Sequence, residues 1–99
     1  MPRLLAHVLS LLVLLVAFRA SAALQVVTTT ADLASIAKEV GGQQVDVTSL
    51  SLHSQDPHFV DAKPHLALKL AKADLLLVHG LDLEIGWLPN LQTGSRNGK

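Results

Sequence analysis

The apolar positions of this chain fall into one long run followed by short runs of alternating period. Leu4 to Ala17 is rich in Leu and Val, with polar residues only at His7 and Ser10. From Leu24 onward the pattern changes character. Leu24–Thr29 (LQVVTT) is short, apolar and β-branched, which predicts a strand. Thr30 can cap a helix over Ala31–Val40, with Asp32 in its first turn and Leu33, Ile36, Ala37 and Val40 on one face. Gly41-Gly42 supplies a left-handed stop. Val45–Leu50 alternates Val45 and Val47 with Asp46 and Thr48, the period of a second strand.

Ser51 to Asp61 has no period and contains Pro57, so a loop is expected there. Pro64 suits the first turn of a helix over Pro64–Ala73, where its missing N–H is not needed. Leu66, Leu70 and Ala73 would line its inner face, and Lys69 and Lys72 would face water. Leu75–Val78 is a continuous apolar run, as expected for a strand covered on both faces of a parallel sheet. Leu81–Leu91 is read as a third helical segment weakened by Gly86 and Pro89, and residues 93–99 as a polar loop. The order β-α-β-α-β-α predicts an α/β fold with a parallel sheet.

The first apolar run is expected to be a targeting signal. Arg3 precedes it and Ala20-Ser21-Ala22 follows it, the order of charge, apolar core and small residues found in a secretory signal peptide. A membrane anchor is the alternative, but a spanning helix needs roughly 20 apolar residues and Arg19 ends this run sooner. Cleavage after Ala22 or Ala23 would divide the chain into a signal peptide, residues 1–22, and one folded unit, residues 23–99.

That unit carries six basic against eight acidic side chains, too little positive charge to suggest nucleic acid. It is small enough to be marginally stable without covalent staples. The chain has no cysteine, so disulfides, thiolate metal sites, cysteine catalysis and a lipid-anchored N-terminal cysteine are all excluded. Histidine and carboxylate remain as candidate ligands.

His58 is the principal candidate. It follows the second strand, so it belongs at the carboxyl edge of the sheet, where such folds bind ligands. Pro57 restricts Asp56 and stiffens the approach, and Asp56 can form an Asx turn. Neutral imidazole is the commonest protein ligand for divalent transition metals. His79 closes the third strand and could share that edge, as an auxiliary or orienting group. The alternative, which the sequence alone favours, is a strand-end histidine bonded to backbone. His53 and His65 read as surface side chains. Asp32, Asp61, Asp82 and Glu84 read as helix-entry residues, favoured there by the helix dipole. Trp87 reads as packing. No Ser-His-Asp order, carboxylate pair or phosphate-binding glycine loop points to an enzyme.

In order and spacing, Val26-Val27-Thr28-Thr29-Thr30-Ala31-Asp32-Leu33, Val40-Gly41-Gly42, Gln55-Asp56-Pro57-His58, Ala73-Asp74-Leu75-Leu76-Leu77-Val78, Gly80-Leu81-Asp82-Leu83-Glu84 and Trp87-Leu88 resemble the N-terminal lobe of solute-binding proteins of zinc- and manganese-type ABC transporters. The resemblance implies a parallel-sheet half-lobe of a two-lobed metal receptor, with His58 as the first metal ligand and His79 at most auxiliary. It also implies Zn2+, or alternatively Mn2+, captured between two lobes by a monomeric, periplasmic protein. That protein would dock on a membrane permease without itself spanning the membrane. Leu52-His53-Ser54 stands where the family commonly has Pro and Gly, and His79 where it often has Asn. The family's remaining ligands and second lobe would lie beyond residue 99. A truncated gene product without transport activity is therefore the alternative expectation.

Overall fold

The computed structural model describes residues 1–17 and 22–98. Arg19, Ala20 and Ser21 of the expected cleavage site lie outside the described residues. Helix α1 (Pro2–Ala17) takes up the first apolar run. Among the described residues no helix is long and apolar enough to cross a membrane.

The folded unit alternates β1 (Leu24–Thr28), α2 (Ala31–Gly41), β2 (Val45–Ser49), α3 (Pro64–Ala71), β3 (Leu75–Leu77) and α4 (Leu88–Ser95). All strands are parallel, in the order β2-β1-β3. Leu24 pairs with Val45 and Val26 with Leu75, which fixes the two registers. The parallel sheet expected from the sequence is present. β3 lies beside β1 and not beside β2. β1 therefore takes the centre. β3 becomes an edge strand, with Leu75 45% exposed rather than covered on both faces.

Val26 and Val27 are both buried because successive side chains on a strand face opposite sides. Val27 joins Leu50, Val60, Leu66, Leu70, Ala73, Trp87, Leu88 and Leu91 in one apolar cluster, built where α3 packs on α4. α2 packs on β1 and β2. Leu66 and Leu70 are buried and Lys69 exposed, as the period of α3 requires; the helix ends at Ala71, two residues short of its expected bound, with Ala73 buried and Lys72 exposed just beyond it.

The inner face of α2 is narrower than its pattern suggested. Ala34 is buried, whereas Ile36 and Val40 are 60% and 84% exposed. Thr30 caps α2 by accepting the Leu33 N–H, and Gly42 ends it at φ +54°. A Cβ on Gly41 would fall within the volume of the Val45 side chain, so this position requires glycine for space.

The third helix is the clearest departure from the sequence-based expectation. Residues 81–87 form turns, and α4 starts at Leu88 and runs through residues expected to be loop. Pro89 sits in its first turn, where proline costs no hydrogen bond. Leu81 and Asp82 lie at φ +53° and +65°, and Gly80 at +77°. Three successive left-handed residues cannot belong to a right-handed helix.

Candidate metal site

Strands of a parallel sheet end on one edge, and here that edge is woven together by hydroxyl groups. Thr28, Thr29, Thr30 and Ser51 are all buried. Thr28 Oγ1 donates to the Thr30 carbonyl at 2.7 Å, and Ser51 Oγ donates to the Thr29 carbonyl at 2.7 Å. The backbone continues the stitching, with Ser51 N–H donating to the Thr29 carbonyl and Thr29 N–H to the Leu77 carbonyl. Each hydroxyl adds a second donor to a carbonyl that also takes a backbone N–H, from Ala34 at Thr30 and from Ser51 at Thr29.

His58 stands on the loop above this edge, with its side chain 59% exposed. Asp56 Oδ1 accepts two hydrogen bonds from it, from the backbone N–H at 3.0 Å and from ring Nδ1 at 2.8 Å. The first closes the expected Asx turn. The second fixes the chemistry of the ring. A neutral imidazole that donates from Nδ1 keeps its lone pair on Nε2, the arrangement in which a carboxylate orients a metal-ligating histidine. The His58 backbone N–H, then its ring, hold the Asp56 carboxyl below the usual carboxylate range. Trp87, buried in the core, donates its indole N–H to the Pro57 carbonyl at 2.8 Å and so ties this loop to the start of α4.

His79 leaves β3 on the same edge. Its Nε2 lies 2.8 Å from Thr30 Oγ1, the capping hydroxyl of α2. The ring thus bonds a side chain and not the backbone, contrary to the favoured sequence reading. His79 and His53 both line a cavity of about 220 Å3, shared with Thr30, Asp32, Gln55 and Pro57. His58 does not line it. His65 is exposed on the first turn of α3, as expected. Among the described residues, no group of three or more His, Cys, Asp or Glu side chains is arranged to hold a metal ion.

Glu84 was read as a helix-entry carboxylate, and the structure gives it a different place. It is 3% exposed. Its Oε1 accepts from the Thr29 hydroxyl at 2.8 Å and the His79 N–H at 2.7 Å, and its Oε2 from the Gly80 N–H at 3.2 Å. Burial, the largest influence, would raise its pKa; the Thr29 hydroxyl and the backbone amides of His79, Gly80 and Glu84 itself together outweigh it and hold the carboxyl below its ordinary value. The signal in the sequence was a carboxylate set inside an apolar run, Leu83-Glu84-Ile85.

The family described as zinc-uptake complex component A, periplasmic, matches residues 26–99. Manganese-binding lipoprotein MntA of Bacillus subtilis is 44% identical over 61 residues, covering 62% of this chain and 20% of that protein. Manganese ABC transporter substrate-binding lipoprotein PsaA of Streptococcus pneumoniae is 38% identical over 63 residues, covering 64% and 20%. Metal ABC transporter substrate-binding lipoprotein FimA of Streptococcus parasanguinis is 37% identical over 67 residues, covering 68% and 22%. The chain thus spans about a fifth of the length of these curated relatives. A crystal structure of ZnuA superposes with a TM-score of 0.69 at 27% identity, over 78% of this chain and 30% of that one. With a parallel sheet matching part of a ZnuA-type receptor and a family match across nearly the whole folded unit, this chain belongs to the metal-receptor family of component A of zinc-uptake complexes.

Proposed function

We propose that this chain contributes His58 as the first ligand of a divalent transition-metal site in an extracytoplasmic receptor serving an ABC importer. The observation that carries this is the Asp56–His58 pair, in which the carboxylate accepts the hydrogen bond from Nδ1–H and leaves the Nε2 lone pair free to bind metal. Among the described residues no cluster of three candidate ligands stands beside His58. His79 is auxiliary, acting from its place beside Thr30. Zinc is favoured over manganese as cargo on the family likeness of the Gly80 to Ser95 segment; imidazole ligands suit zinc and carboxylate-rich sites suit manganese, and a single imidazole does not choose between them. The names of two relatives specify manganese, so the titration must include both ions. The receptor is periplasmic, released there by removal of residues 1–22, and delivers its ion to a membrane permease.

Calorimetric titration with zinc and with manganese tests the assignment. One imidazole plus water leaves most coordination positions to solvent, so binding by this chain is weak. His58→Ala removes most of it, and His65→Ala changes little. Tight stoichiometric binding that survives the loss of His58 would place the site elsewhere.

A further inference from the structure

Glu84 is the one ionisable side chain among the buried polar residues described, and metal capture by His58 makes no use of it. Its surroundings show what it holds. The backbone from Gly80 to Asp82 runs through three successive left-handed residues, two of them not glycine. Such backbone persists only where its surroundings enforce it, and it clusters at functional sites. Two successive N–H groups at the entry to this turn, His79 and Gly80, converge on the Glu84 carboxylate. Converging amides of this kind otherwise capture an anion. Here the chain supplies its own. The same carboxylate takes the Thr29 hydroxyl, which fixes the turn to the end of the central strand. The Glu84 carbonyl accepts from the N–H groups of Trp87 and Leu88, and the Trp87 indole reaches the Pro57 carbonyl beside His58.

We infer that Glu84 is a positioning residue for the metal site: it latches the left-handed turn after β3, thereby seats the His79 imidazole against Thr30 at the cavity wall, and through Trp87 ties that seat to the His58 loop. This rests on the metal-capture function proposed above. Replacing the carboxylate by an amide keeps the volume but presents an N–H2 group to donors that need an acceptor.

The test uses the full chain and its Glu84→Gln and Thr29→Val variants, each checked for folding by circular dichroism. Imidazole 1H–15N spectra are recorded without metal, followed by zinc titration. In Glu84→Gln the ring signals of His79 shift or broaden while those of His65, remote on α3, stay fixed. Zinc affinity falls about 10-fold, the usual cost of losing a group that orients a ligand. Thr29→Val, which removes one of the three bonds, gives smaller changes in the same direction and decides the matter if Glu84→Gln does not fold. Unchanged His79 signals in a folded variant would overturn the proposal. So would moved signals with unchanged zinc affinity, which would make the latch structural only. If the unaltered chain takes no zinc yet its His79 signals still depend on Glu84, the latch stands and metal capture by this chain fails.

Discussion

The indole N–H of Trp87 is bonded to the carbonyl of Pro57, 2.8 Å away and one residue before His58. A core side chain thus reaches up to the loop that carries the candidate ligand. Trp87→Phe keeps most of the buried ring but leaves that carbonyl without its donor. A net loss of about 1 kcal/mol in unfolding free energy is expected. Chemical denaturation followed by circular dichroism measures it. An unaltered midpoint would mean that the loop is held by other means.

Asp56→Asn tests the pairing that orients His58. The asparagine side chain can still accept the His58 N–H, but it lacks the charge that favours a proton on Nδ1. Zinc affinity is expected to fall about 10-fold with the fold intact. Equal affinity in the two proteins would show that the carboxylate serves only the turn.

Acid should loosen the molecule through Glu84. Its carboxyl lies below the ordinary value in the folded chain and near about 4.3 in the unfolded one. The unfolded state therefore takes up a proton first as pH falls. The stabilisation is fully present above about pH 4.3 and is lost as pH drops through the lower, folded value. Thermal unfolding measured between neutral pH and the carboxylate range should show this decline, and Glu84→Gln should flatten it. Parallel declines in both proteins would assign the effect to other groups, Asp56 among them.

Export is expected to remove the first helix. Mass spectrometry of the protein recovered outside the cytoplasm should give an N-terminus at Ala23 or Leu24. Recovery of the intact Met1 form inside the cell would contradict a cleaved signal.

What the sequence disclosed and what it hid follow one physical division. β1, β2, α2 and α3 were legible because each is a short amphipathic or β-branched run with a stop of its own, Gly41-Gly42 or the Pro57 loop. Their bounds shift by no more than two residues. Burial on α2 was less legible, since Ile36 and Val40 keep helical spacing whether or not anything covers them. The segment from Leu81 to Trp87 was misread as helix because its apolar content is high. Its backbone is set instead by bonds to distant partners, Thr29 and Pro57, that no local pattern encodes. For the site, His58 and its Asx turn were visible in the loop motif. The burial of Glu84 and the bond from His79 to Thr30 depend on the strand order, with β3 beside β1.

That strand order also bears on how the chain acquires its shape. The central strand is the first to be made, yet both its neighbours come later, and Asp74, which meets Gln25 at the start of the β3 pairing, lies 49 residues downstream. No hairpin can form early, because each parallel pair must wait for its intervening helix. Non-local pairing of this kind slows folding. A nascent chain built this way cannot complete its sheet until β3 has emerged, and until then the central strand lacks one of its two partners.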